Sequence, residues 1–242
     1  MTEAATAAGA VSRESLDARL ATSPGWLADR RNAAWDAFTA MPAPSSARDE
    51  DWRRTDIGRL HLDRFGPAGP AAPGLLELAR SRHATALPGA ALLVSEPAGT
   101  VTIDNAEALL AQGVIISSLE EAAERHPELV QRGLSGIGID DSYFAALWNA
   151  LWLGGAFVYV PPGVQAMTPV WVSHLAAGAD AAAFPATVVV LDGHASLTVV
   201  EDLVSRKWIA DILSSEETST QVQIVFGDGN FEQRFFLHLV VG

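Results

Sequence analysis

The sequence predicts an α+β fold, with an N-terminal helical region followed by a β-rich half made of short strands. Three observations carry this. Apolar residues recur at helical spacing early in the chain, at Leu27, Ala34, Phe38 and Met41, with Arg30, Arg31 and Asp36 between them. After Gly155 come short β-branched runs, FVYV, PVWVSHL, ATVVVL, ASLTVVEDLV and TQVQIVF. Pro161-Pro162-Gly163, Asp192-Gly193 and Asp228-Gly229 punctuate them. Between the halves, residues Ser142 to Ala179 contain no Asp, Glu, Lys or Arg, opening as helix and continuing as strand and turn.

In chain order, residues 1–23 are expected to be a flexible terminus, with MTEAATAAGAVS (1–12) its most frayed part. Ser23-Pro24 reads as an N-cap with proline at the first helical position, and Pro42 ends the helix begun there. PAPSSARDE (42–50) and GPAGPAAPG (66–74) are Pro/Gly-rich linkers within an α/β region spanning 24–139. ALLVS, GTVTI and GVIIS read as strands from Ala90 onward. Ser118 and Glu121 form a capping box for LEEAAERH, which Pro127 is expected to stop. Residues 140–242 form the second unit, a helix capped by Asp140 or Asp141 and closed by Gly154 or Gly155, then the strands. On that helix Phe144, Trp148 and Trp152 share one face and Leu147 and Leu151 the next, so burial on a wide arc is expected.

Crossing a bilayer as a helix takes about 20 uninterrupted apolar residues. Asn149, Gly154-Gly155 and Pro161-Pro162 interrupt the charge-free run, so it reads as a buried helix feeding buried strands, and no membrane is expected as partner. A net charge of −13 argues against nucleic acid or an anionic membrane. With no cysteine in 242 residues, these residues offer no disulfide, thiolate metal site or cysteine-held cluster. The first twenty residues carry Glu3, Glu14 and Asp17 without an apolar core, so a cytoplasmic setting is the default. The glycines form neither a phosphate-binding loop nor a dinucleotide fingerprint. Short strands at near-even spacing fit a sandwich, a barrel or a β-solenoid, and periodicity does not choose among them.

Particular residues carry a resemblance. Ala146-Leu147-Trp148-Asn149-Ala150 is similar to the ALNxA-like helix of the SufB/SufD family of iron–sulfur cluster assembly proteins. Phe157 to Val164, FVYVPPGV, resembles the strand that comes after that helix in the family. Val188 to Ser205 matches a later pattern of strand, glycine turn and strand through Gly193, Glu201 and Ser205. Asp51-Trp52-Arg53-Arg54-Thr55-Asp56, with Pro24, Trp26, Arg30 and Phe38, resembles the SufD side of the family. The similarity runs from about Pro24 to Ser205. RKWIADILSSEE (206–217) departs from the pattern, and TQVQIVFGDGNFEQRFFLHLVV fits it loosely as a strand–turn–strand pair.

The resemblance implies that the β-rich half is a solenoid, a right-handed parallel β-helix. Family members are longer, so the chain is expected to be truncated, its solenoid incomplete at the C-terminus with a bare sheet edge. It further implies a non-catalytic scaffold subunit. Its partners would be a SufB-like subunit, met through the β-helices, and the SufC-like ATPase, with a homodimer as the other pairing. No cofactor is held tightly by the chain itself; an iron–sulfur cluster or iron belongs to the full complex.

Without thiolates, metal-binding candidates reduce to imidazoles and carboxylates. His174 lies in PVWVSHL, His194 in the turn DGHAS, Glu201 in SLTVVED and His238 near the end. A single strand histidine is more often a packed or surface residue than a ligand, and that is the expectation for each. Glu201 and Asp202 are adjacent on a strand and so face opposite sides, unsuited to a paired-carboxylate site. Trp52 is expected to pack inward while the arginines beside it pair with Asp49, Glu50 or Asp56. The Trp148/Trp152 pair is read as core, and Asp228-Gly229-Asn230 as a tight turn. The alternative functions are a β-solenoid carbohydrate-active enzyme, which needs two carboxylates on one face, or a non-catalytic binding module using a strand edge.

Overall fold

The computed structural model describes residues 9–53, 61–176, 178, 181–204, and three strands at 220–226, 232–237 and 240–241. Its helices are α1 (Arg13–Leu20), α2 (Gly25–Ala40), α3 (Leu75–Ala86), α4 (Glu107–Leu110), α5 (Leu119–Arg125), α6 (Pro127–Leu134) and α7 (Tyr143–Leu151). Its strands are β1 (Gly66–Pro67), β2 (Ala91–Ser95), β3 (Val101–Asp104), β4 (Ile115–Ser118), β5 (Ala156–Val160), β6 (Val170–Leu175), β7 (Ala181–Ala183), β8 (Ala186–Leu191), β9 (Ser196–Val204), β10 (Thr220–Phe226), β11 (Glu232–Leu237) and β12 (Val240–Val241). The α+β class is confirmed.

The strands make three sheets, ordered β10-β9-β6-β2-β3, β11-β8-β5-β4 and β1-β7-β12. From β5 to β9 the chain visits each sheet in turn. β8 returns parallel to β5, with Phe157 beside Val188, and β9 returns parallel to β6, with Trp171 beside Val200. β2 is also parallel to β6, and β1 to β7. Every outer strand of the two larger sheets is antiparallel: β3 on β2, β10 on β9, β4 on β5 and β11 on β8.

Alternation along the strands sorts the side chains into layers. Leu93, Val172 and Val199 face Val158, Val160, Val189 and Leu191 in the space between the two larger sheets. On the far face of the first sheet, Leu92, Val94, Trp171, Val200 and Val204 meet Leu75 and Ala79 of α3. On the far face of the second, Phe157, Val188 and Val190 meet the helices through Leu27, Leu134, Leu147 and Leu151. β2, β6 and β8 are therefore covered on both sides, and all their residues are buried. α6 lies so close to β8 that a β-carbon on Gly133 would come within 2.6 Å of Val188 Cγ1.

Several local expectations change. Residues 13–20 of the presumed flexible terminus are helical, capped by Ser12, whose hydroxyl accepts from the Ser15 amide at 3.1 Å, and pinned by the buried Leu16. Ser23 does not cap α2; its hydroxyl donates to Arg19 O at 2.8 Å and accepts from Arg31 Nε at 3.0 Å. Pro127 does end α5, but it also opens α6 as its first residue. Ser142, rather than Asp140 or Asp141, caps α7, accepting from the Ala145 amide at 3.1 Å. Gly66-Pro67, within a linker, pairs with Ala181-Ala182. At the other end, β10, β11 and β12 run along β9, β8 and β7 and are the outermost strands of the three sheets there.

Candidate functional site

Two of the predicted metal candidates come together. His174, on β6, and Glu201, on β9, both point into the space between the two larger sheets and are 1% and 4% exposed. Parallel pairing sets Val172 beside Glu201 and Ser173 beside Asp202, so the imidazole, two residues on, leans back over the carboxylate. His174 Nε2 is 3.3 Å from Glu201 Oε1 and 3.0 Å from Thr187 Oγ1 of β8. Ser95 lies in register with His174 on β2 and is buried with it. The pair thus lies in a polar pocket at one end of an otherwise apolar interior.

His194 is elsewhere. It sits in the turn after β8, exposed, with φ of +60°, and its carbonyl accepts from Gln165 Nε2 at 2.5 Å. His238, Ser205 and the Asp228-Gly229-Asn230 turn lie outside the described residues. Among the described residues, no group of three or more His, Asp or Glu side chains gathers within metal-holding reach. Imidazole plus a single carboxylate is too small a donor set to hold a cluster on its own. Glu201 and Asp202 do face opposite ways, and both are buried. Asp202 meets Arg82 of α3 at 2.8 Å, and burial raises its carboxyl pKa against the pull of that guanidinium. Neither carboxylate opens onto a substrate-sized face.

The helix-to-strand junction is held by charges that sequence reasoning placed outside the core. Arg31 is 2% exposed. Its guanidinium donates to Ala150 O and Trp152 O, each at 3.0 Å, so α2 satisfies the last carbonyls of α7. Glu120 of α5 accepts from the Gly154 amide at 2.5 Å. Burial lowers the Arg31 guanidinium to about 9, opposed by Glu120, and raises the Glu120 carboxyl, opposed first by its backbone hydrogen bonds and then by Arg31. Next to it, Arg30 donates to Asn149 Oδ1 at 3.0 Å and to Leu134 O and Ile137 O at 3.1 and 2.7 Å. Asn149 in turn donates to Ala145 O at 2.9 Å. The asparagine of the ALWNA element therefore anchors α2 to α7. The available sequence signal was position: Arg31 falls in the stripe of Leu27, Ala34 and Phe38.

Tyr159 of FVYVPPGV is half-buried on the outer face of β5. Its hydroxyl donates to Asp192 Oδ2 at 2.6 Å, and Arg132 of α6 meets Asp192 Oδ1 at 3.0 Å. Trp148 and Trp152 are stacked core residues, ring centres 6.2 Å apart. Trp52 packs on Phe144 at 5.3 Å while Arg53 pairs with exposed Glu50 at 2.8 Å. Arg54, Thr55 and Asp56 lie outside the described residues.

Residues 94–172, from the end of β2 through α7 and β5 into β6, match the family profile described as the SufBD protein N-terminal region. The chain is also 26% identical over 212 residues to the iron–sulfur cluster assembly protein SufD of Bacillus subtilis, covering 84% of this chain and 48% of that protein. These matches support membership of the SufB/SufD family. It is 26% identical over 210 residues to an iron–sulfur cluster assembly SufBD family protein of Staphylococcus haemolyticus, covering 81% of this chain and 44% of that one. To SufB of Bacillus subtilis it is 29% identical over 126 residues, 52% of this chain and 26% of the relative. The chain thus spans about half the length of the SufD and SufBD relatives. The profile-matched segment carries the α7–β5 junction that Arg30, Arg31 and Asn149 hold in place. No helix among the described residues is long and apolar enough to cross a membrane.

Proposed function

We propose that this chain serves iron–sulfur cluster assembly as a SufD-like, non-catalytic scaffold subunit. The observation that carries the reading is the match of residues 94–172 to the SufBD profile, extended over most of the chain by the likeness to a SufD protein. The winding of β5 to β9 supports the fold side of it: β8 returns parallel to β5 and β9 to β6, as successive coils of a parallel β-helix do. A right-handed winding accords with the general rule for parallel crossovers. The chain's partners are then a SufB-like subunit and a SufC-like ATPase, and the cluster or its iron is cargo of the complex. Pairing of such β-rich subunits buries on the order of 1,200–2,000 Å². A net charge of −13 favours protein partners over nucleic acid, and the setting is cytoplasmic.

The carbohydrate-enzyme reading is not favoured: Glu201 and Asp202 lie on opposite faces of β9, both buried, and do not form the paired-carboxylate face it needs. Purification of the tagged protein from its source cells, with mass spectrometry of what accompanies it, tests the proposal. Recovery with a SufB-like subunit and a SufC-like ATPase supports it. Recovery without either, at native expression levels, overturns it.

A further inference from the structure

Two of the three large apolar side chains that stand exposed among the described residues lie together. Ile103 of β3 is 37% exposed and Leu110 of α4 is 53% exposed, and both line one cleft of about 680 Å³. Arg80, His83 and Leu92 line it from the α3 side of the first sheet, and Ile116 of β4 lines it from the space between the sheets. A cleft with walls from both faces of β3 lies at the open edge of that strand. β3 is the last strand of its sheet, with β2 on one side and no strand on the other among the described residues. The Glu96 amide donates to Thr100 O at 2.8 Å, which fixes the phase of the β2–β3 hairpin. Thr102 and Asp104 therefore bond to β2, and the main-chain N–H and C=O groups of Val101 and Ile103 point outward.

We infer that this edge docks an extended segment of a partner protein, which joins the first sheet as a further strand beside β3 and carries apolar side chains at alternate residues with a basic one among them. The backbone of Val101 and Ile103 supplies the hydrogen bonds, and the Ile103 and Leu110 side chains supply the apolar seat. A strand edge held out of association normally presents lysine, proline or an unpaired charge. β3 presents Val101, Thr102 and Ile103, and its one charge, Asp104, is already paired with Arg80 at 3.2 Å. The remaining charge on the cleft sets the sign of the partner. Glu107, at the start of α4, is exposed and pairs with no base among the described residues. On a chain of net charge −13, that carboxylate favours a lysine or arginine in the docked segment. The inference concerns this edge alone and does not rest on the cluster-assembly reading.

Selection of random peptides displayed on phage against the whole chain tests this. The recovered peptides are then synthesised and titrated by fluorescence anisotropy against the wild-type chain, Leu110→Lys and Glu107→Lys. Both side chains are exposed on α4, and circular dichroism checks that each variant keeps its fold. The selected sequences should alternate apolar and polar residues and include lysine or arginine. Their binding should weaken about tenfold or more in each variant. N-methylation of one alternate set of peptide amides should abolish binding and of the other set spare it, because an added strand bonds along one edge only. Failure to enrich any peptide over an unrelated protein overturns the inference. So does equal binding to the wild-type chain and both variants, or indifference to N-methylation of either set. If light scattering finds a dimer of the chain that Leu110→Lys dissociates, the edge belongs to a second copy and the partner reading falls. Glu107→Lys decides alone if Leu110→Lys does not fold.

Discussion

The guanidinium carbon of Arg31 lies 4.3 Å from the ring centre of Trp152, while its two terminal nitrogens donate to the carbonyls of Ala150 and of Trp152 itself. One side chain of α2 thus stacks on the residue that ends α7 and caps that helix. The last turn of α7 has no basic residue of its own. The Gly154-Gly155 turn then leads into β5, so Arg31 fixes the angle at which the helical layer enters the sheets.

Arg31→Met should cost about 3 kcal/mol, because two buried carbonyls lose their donor at about 1–3 kcal/mol each. Arg31→Lys should recover less than half of the loss, since an ammonium lacks the planar fork that reaches both oxygens. Urea denaturation of the three proteins measures this. A methionine variant as stable as the wild-type chain would show that the carbonyls find other partners.

Much of this fold was legible in the sequence, and the gaps have physical causes. FVYV, PVWVSHL, ATVVVL and ASLTVVEDLV became β5, β6, β8 and β9 because β-branched runs bounded by Gly and Pro have few other solutions. β7 was missed because Ala181–Ala183 has little strand propensity and is set in place by its neighbours β1 and β12, far along the chain, and by the packing of Ala182 in the core. α6 was hidden because Pro127 signals an end and a beginning equally well. The His174–Glu201 contact depends on strand register between β6 and β9, which no local pattern specifies. Arg31 was visible as a charge in an apolar stripe, but its partners lie on α7, far along the chain.

His174 and Glu201 invite a double-mutant cycle. Removing the imidazole alone, as His174→Leu, takes a buried hydrogen-bond partner from Glu201 Oε1 and Thr187 Oγ1 and should cost about 1–3 kcal/mol. H174L/E201M should recover much of that, because a buried polar pair replaced by apolar groups of similar volume is often near neutral. Equal destabilisation of the double and the single variant would mean that the two side chains are not coupled.

Glu120 and Asp202 set a pH dependence of definite sign. Burial is the first cause of the rise in both pKa values, so the folded chain holds these protons more tightly than the unfolded one. Their contribution to stability is therefore full below the ordinary carboxylate pKa and is lost as pH rises through the raised folded values. In E120Q/D202N the decline of the urea midpoint from acidic toward neutral pH should flatten. An unchanged slope would assign the decline to other groups.

Two glycines should respond very differently to alanine. Gly155 has φ of +132°, and a β-carbon there would collide with the Ala186 carbonyl, where β5 and β8 begin their pairing. Gly163 has φ of +76° with open space around it. Gly155→Ala should therefore cost about 3 kcal/mol or more, combining backbone strain with overpacking, and Gly163→Ala about 1 kcal/mol from the left-handed backbone alone. Thermal unfolding of both variants checks the ratio. If Gly155→Ala were the milder change, the close approach of the α7–β5 turn to β8 would be wrong, and with it the seating of the profile-matched segment on the parallel sheet.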